Sequence, residues 1–209
     1  MKTIYSPSHY SEYRSALIFE IIQKYAFATV ITQGPDGPFI SHLPLLLESI
    51  EGRQILIGHC ARPNPQWRHF AEGQKLTVIF HGPHSYISPA WYEPKADNVP
   101  TWNYATVHVQ GTATILENSD QTYDVLNKIV KHFENDYETG WSLPQIPNQD
   151  LLDLVKGIVA FRIEIEDIQA KFKLSQKQNS TDRSTVIREL PQFGTEHAAL
   201  ADYMKRVMP

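Results

Sequence analysis

Between Val107 and Ile115 the chain alternates strictly. Val107, Val109, Ala113 and Ile115 are apolar, while His108, Gln110, Thr112 and Thr114 are polar, the period-two pattern of a half-buried strand. Gly111 falls in the apolar phase, where it predicts a bulge or the close approach of another backbone. A second long strand is written in Val159, Phe161, Ile163 and Ile165 against Arg162, Glu164 and Glu166. Shorter apolar runs at Phe27 to Thr32, Phe39 to Leu47, Ile55 to Gly58 and Leu76 to Phe80 predict further strands. Gly34-Pro35-Asp36-Gly37 and Glu51-Gly52-Arg53 are turn signals, and His81-Gly82-Pro83-His84 reads as a loop or turn. Connections this short join strands antiparallel, because a parallel pair needs a long crossover.

Helical spacing occurs at three places. Tyr10, Tyr13, Leu17 and Ile21 predict an opening amphipathic helix, and Tyr123, Leu126, Val130 and Phe133 place one stripe on a helix starting near Ser119. Two short helices close the chain; the last carries Leu200, Tyr203, Met204 and Val207, with Thr195 as its candidate cap. Residues 138–149, rich in Pro and polar residues, read as a loop. The expected fold class is α+β: a small antiparallel β-barrel with flanking helices. The expected division is a barrel domain over 1–175 and a helical extension over 176–209 packed on it.

At 209 residues the chain can bury one good core. Its single cysteine, Cys60, excludes an internal disulfide framework and fits a reducing cytoplasm; the thiol is either reactive beside Arg62 or a packing residue. The amino terminus lacks the apolar segment of a secretory signal, and no run is long enough to span a bilayer, so no membrane partner is expected. A net charge of -4 argues against a broadly basic nucleic-acid surface. One local basic run remains, Lys171, Lys173, Lys177, Arg183 and Arg188, which is either a solvated face or a site of direct DNA contact.

The richest stretch for chemistry is His59-Cys60-Ala61-Arg62-Pro63-Asn64-Pro65-Gln66-Trp67. Asn64 suits an N-cap and Pro65 the first helical position, so free amides beside Arg62 could cradle a phosphate; alternatively Asn64 caps its own helix and Arg62 is solvated. The histidines show no metal-ligand spacing, Ser85 and Ser88 lack a nucleophile turn, and no phosphate-binding glycine loop is present. Tyr86, Trp91, Tyr92, Trp102 and Tyr104, interrupted by Pro89, Pro94 and Pro100, suit a planar ligand, a subunit interface or a roof over the core.

Taken in order, several blocks resemble the PaiB-like family of FMN-binding split-barrel proteins, a family of negative transcriptional regulators. They are Ser41-His42-Leu43-Pro44-Leu45, Gly58 through Trp67, His81 through Pro89, Trp91-Tyr92, Val99 through Tyr104 and Lys173-Leu174-Ser175-Gln176. The resemblance implies a split barrel of the pyridoxamine-phosphate-oxidase type, a homodimer, and flavin mononucleotide in a groove between subunits. Carried onto this chain, the strand at Ser41 to Leu45, with Ser41, His42 and Leu43 as cofactor contacts, would line the isoalloxazine edge; the turn at His59 to Asn64, with Arg62, would take the phosphate, and Gln66 would also contact the cofactor. Trp102 and Asn103 would reach in from the partner copy, and Lys173 and Gln176 would join the same groove. After Lys-Leu-Ser the chain departs from the family pattern, with Gln176-Lys177-Gln178-Asn179 shifting or replacing a basic residue. Two other functions fit the same barrel: a flavin-dependent oxidoreductase, with His42 or His59 relaying protons, and a heme-handling protein with a histidine ligand.

Overall fold

The computed structural model describes residues 3–93 and 98–207, which leaves Pro94 of the aromatic stretch outside the described residues. Among the described residues seven strands form one antiparallel sheet: β1 (Ser11–Glu12), β2 (Phe27–Gly34), β3 (Gly37–Ile50), β4 (Arg53–Ala61), β5 (Lys75–Ile87), β6 (Thr101–Leu116) and β7 (Ile158–Lys173). Their order is β1-β7-β4-β3-β2-β5-β6, and β6 also pairs with β7, the strand arrangement of a split barrel. Six α-helices among the described residues flank it: α1 (Ser15–Lys24), α2 (Gln66–Ala71), α3 (Ser119–Tyr137), α4 (Asn148–Lys156), α5 (Ser180–Glu189) and α6 (Thr195–Val207). The chain contributes to two compact units, passing between them within α1, β5, β6 and β7. One comprises residues 22–80 and 108–168; the other comprises 1–21, 81–107 and 169–209.

In the unit of 22–80 and 108–168, the β2–β3 hairpin closes on Gly34 opposite Gly37, as the turn signal predicts. The β3–β4 turn puts Glu51 at φ 51° and Gly52 at φ 78°, the left-handed pair that matches the twist of a tight hairpin. Alternation buries Ala28, Val30, Leu56, Val78, Phe161 and Ile163 on one face of the sheet. On the opposite face α3 covers Leu46, Ile55, Ile57 and Ala160 with Val125 and Ile129. The buried stripe of α3 is therefore Thr122, Val125 and Ile129, one position away from the expected Tyr123, Leu126 and Val130; Phe133 packs on its edge. Gly111 is where the sequence reading expects a close approach. A Cβ there would collide with the carbonyl oxygen of Glu164 on β7. A helix absent from that reading, α4, occupies the end of the expected loop and the residues after it.

In the other unit, the opening helix starts at Ser15 rather than around Tyr10. Tyr10 ends a 3-10 turn, and Ser11–Glu12 pair with Lys171 and Ala170 of β7, so Tyr13 stays 79 % exposed. The Glu12 carboxylate accepts from the Tyr13 and Arg14 amides and so sets the chain up for the helix. His81 through His84 is not a turn but the middle of β5. Gly82 is there because β6 passes close by: a Cβ would sit 2.8 Å from the Ala105 oxygen and 2.9 Å from Ile21 Cδ1. The last helix buries Leu200, Tyr203, Met204 and Val207 as its spacing predicts. Its cap is Gly194, whose carbonyl accepts the Ala198 amide; Thr195 is already helical.

Candidate functional site

The expected site residues fall into two groups, one per unit. Of the first group, Ser41 and Leu43 lie opposite Val30 and Ala28, on the face that packs inward. His42 lies opposite Thr29, on the other face. A strand sends neighbouring side chains to opposite sides, so these three residues cannot line one surface. Ser41 instead accepts a hydrogen bond from Asn64 Nδ2 at 2.9 Å. The Asn64 oxygen accepts the Gln66 amide at 3.0 Å. Gln66 is fully buried, and its Nε2 donates to Val30 O (3.1 Å), Phe39 O (3.0 Å) and Thr32 Oγ1 (3.1 Å). Thr32 in turn shares a 2.8 Å hydrogen bond with His69 Nδ1. The amide of Gln66 thus ties β2 and β3 to the start of α2.

The turn before α2 differs from the expected anion cradle. The helix begins at Gln66, with Pro65 in the cap position, and has only six residues. The Arg62, Asn64 and Gln66 amides donate to Gly157 O, Ala61 O and Asn64 Oδ1, so none is free for a ligand. Arg62 is exposed, and one edge of its guanidinium is committed. Nε donates to Lys156 O at 2.6 Å and Nη2 to Ile158 O at 2.7 Å, where α4 ends and β7 begins. Among the described residues Nη1 has no partner. Arg62 also borders a cleft of about 460 Å³, together with Trp67, Ser119, Val155 and Lys156.

His42 and His59 share the outward face of the sheet. Strand register places Phe27 opposite Pro44, Thr29 opposite His42 and His59 opposite Ala160. Helix α3 covers this face over β4, β7 and the Leu46 end of β3, but at the start of β2 and the first half of β3 it is bare: Phe27 is 66 % exposed and Ile40 53 %. Phe27 and the His42 ring lie 6.2 Å apart. His59 is half-buried, and its Nδ1 is sealed from solvent with no hydrogen-bond partner among the described residues. Burial pulls its imidazole below the ordinary value, which keeps the ring neutral. Sequence reasoning missed Phe27 and Ile40. The available signal was the run Phe27 to Thr32, where both phases of the strand carry apolar residues and one must face outward.

The second group lies in the other unit. Trp102 is 53 % exposed, flanked by His84 at 6.4 Å and edge-on to Tyr86 at 6.2 Å. Lys173 donates to Thr101 Oγ1 and, at 2.9 Å, to Trp102 O. Burial and then the nearby Lys171 charge lower its ammonium from the ordinary lysine value. Asn103 points away from this surface. It is fully buried, with Nδ2 donating to Ser175 Oγ at 2.8 Å beside the Tyr92 hydroxyl, 3.2 Å from the same oxygen. Gln176 is an internal brace: its Oε1 accepts the Leu174 amide at 2.7 Å and its Nε2 donates to Phe172 O. The turn it braces holds Ser175 at φ 65°.

Other candidates resolve in the same way. Cys60 is buried and its thiol pushed up to about 11, chiefly by desolvation, so it packs and does not react. Of the basic run, Lys171 is buried, donates to Tyr5 O at 2.8 Å and lies 5.3 Å from both the Tyr5 and Tyr104 rings. Arg188 pairs with Glu189. Among the described residues no three His, Cys, Asp or Glu side chains cluster as metal ligands, and no helix is long and apolar enough to cross a membrane.

A Bacillus subtilis protein named "Protease synthase and sporulation protein PAI 2" is 38 % identical over 190 residues, covering 90 % of this chain and 89 % of that one. An uncharacterised Emericella nidulans protein is 29 % identical over 205 residues, covering 80 % and 82 %. Among solved structures, the flavocytochrome Anf3 of Azotobacter vinelandii superposes with a TM-score of 0.60 at 14 % identity, covering 83 % of this chain and 74 % of that one. An FAD- and heme-binding protein of Mycobacterium smegmatis gives 0.57 at 15 %, covering 82 % and 77 %. These two likenesses concern the fold. Residues 4–167 match the family described as "Putative FMN-binding domain". This chain, built on a split barrel, belongs to that FMN-binding family.

Proposed function

We propose that the chain binds FMN as a cytoplasmic homodimer and acts as a PaiB-like negative regulator of gene expression. The observation that carries this reading is the bare outer sheet face at Phe27, Ile40 and His42, ending at His59. A flat apolar surface left uncovered beside a helix-covered one suits a planar ring and a second copy of the chain. The residues fit the group. His59 Nδ1 is a sealed polar atom without a partner among the described residues, suited to a ring heteroatom. Arg62 is held by two carbonyls along one edge and keeps Nη1 for a phosphate, a fork oriented before the ligand arrives. Ser41, Asn64 and Gln66 act behind this surface by fixing the turn that carries Arg62; Leu43 packs beneath it. In the other unit, exposed Trp102, backed by Lys173, is the element offered to the second copy's flavin, while Asn103 and Gln176 hold the backbone around it. When bound, FMN supplies one- and two-electron redox chemistry.

The regulatory role draws support from the Bacillus relative, whose name refers to protease synthesis and sporulation. Direct DNA contact is not part of this reading. The basic run is dispersed, with Lys171 buried, Lys173 hydrogen-bonded and Arg188 paired. The test is mass spectrometry of small molecules released on denaturing the native protein, with absorption at about 450 nm before release. FMN is expected; heme, or no released molecule together with no binding of added FMN, overturns the reading. Arg62→Ala is expected to weaken FMN binding by about tenfold or more. Unchanged affinity would remove Arg62 from the site.

A further inference from the structure

We propose that a second cleft, formed by the Ser8–Tyr10 turn, β1, the end of β7 and α5, binds a small organic carboxylate through Arg183. The cleft has a volume of about 550 Å³, within the range of small-molecule sites, and is lined by His9, Tyr13, Phe172, Arg183 and Val207 among others. All of these residues belong to one compact unit. None of the residues proposed to contact FMN lies in the cleft; Gln176 borders it, with both ends of its side-chain amide already committed.

Two carboxylate or guanidinium groups besides Arg183 border the cleft, Glu12 and Arg14, and they neutralise each other. Arg14 Nε and Nη2 donate to Glu12 Oε1 (2.9 Å) and Oε2 (2.7 Å), and the Glu12 carboxylate also accepts two backbone amides. Burial would raise the Glu12 carboxyl, but these bonds outweigh it and hold it below its ordinary value. Glu12 therefore remains an anion, its fork matched by Arg14, and among the described residues it makes no bond to Arg183. Among the described residues the half-buried Arg183 side chain has no hydrogen bond or ion pair. A guanidinium partly withdrawn from water with its fork unmatched is suited to a planar carboxylate, which can accept two parallel bonds.

The surroundings select the rest of the ligand. Partial desolvation and the Lys177 ammonium lower the His9 imidazole, so His9 stands as a neutral ring beside a further positive charge. Phe172 and Val207 form an apolar floor, and the Tyr13 ring is free at the mouth. An anionic end with an apolar or aromatic body matches this arrangement. A purely inorganic anion would leave the floor unused.

Titration calorimetry of the native full-length protein with benzoate and with uncharged benzamide tests the assignment. Benzoate is expected to bind and benzamide not to. Arg183→Gln is expected to weaken benzoate at least about tenfold, with Arg183→Lys intermediate because it keeps the charge but not the fork. Flavin content and circular dichroism should stay unchanged in both variants, which separates this cleft from the FMN reading and from loss of fold. Absence of benzoate binding, equal binding by Arg183→Gln, or inorganic phosphate binding as tightly as benzoate would each overturn the proposal.

Discussion

Two fully buried side-chain amides, Gln66 in one unit and Asn103 in the other, solve different problems with the same chemical group. The Gln66 nitrogen faces two backbone carbonyls, which can only accept, so its orientation is chemically fixed. The Asn103 nitrogen faces the Ser175 hydroxyl and, at 3.6 Å, the Met204 sulfur. A hydroxyl can donate or accept, so this amide could turn over and keep its bond. In both cases the amide oxygen is sealed without a partner among the described residues. The contrast separates a rigid backbone clamp, which sets the Arg62 turn, from an adaptable side-chain network, which supports the Ser175 turn.

Gln66→Ala breaks the clamp outright. It removes bonds to two strands and leaves a cavity, and denaturant unfolding should show a loss of about 3–4 kcal/mol. Asn103→Ala, measured the same way, should cost about 2 kcal/mol, because Ser175 and Tyr92 still satisfy one another. A larger loss for Asn103→Ala than for Gln66→Ala would reverse the comparison. At the periphery of each cluster, Ser41→Ala should cost about 1 kcal/mol and Tyr92→Phe about 0.5–1 kcal/mol. The smallest effect is acid sensitivity at His59, in the same unit as the clamp. His59 titrates below its unfolded value of 6.5, so the unfolded chain binds more protons as pH falls through 6.5. Stability should therefore decline on acidification through that value and level off below the folded one. His59→Gln should flatten this segment of the unfolding midpoint plotted against pH.

Much of the fold was legible because one face of each strand is dry. The alternation of Val107 to Ile115 and Val159 to Ile165, and the turns at Gly34–Gly37 and Glu51–Arg53, read directly onto β2, β3, β4, β6 and β7. What failed did so for tertiary reasons. The Gly82-Pro83 pair signals a turn locally, yet the glycine serves the close passage of β6 at Ala105. Helix α4 escaped notice because Pro144, Pro147 and the polar residues around them read as loop, although Leu151, Leu152, Leu154 and Val155 hold helical spacing just beyond. Tyr10 and Tyr13 keep helical spacing without a helix, since pairing of Ser11 with Lys171 takes the intervening backbone into the sheet. At the candidate site, residue identities were readable but their directions were not. Whether Arg62 meets a carbonyl or a ligand depends on Lys156 and Ile158, which lie more than ninety positions along the chain.

The sealed position of Cys60 has an experimental consequence. With its only sulfhydryl inaccessible and protonated at neutral pH, the polypeptide has no thiol that readily exchanges electrons with peroxide, dithionite or glutathione. A reductive titration of flavin bound to this chain can therefore be interpreted without correcting for a cysteine background.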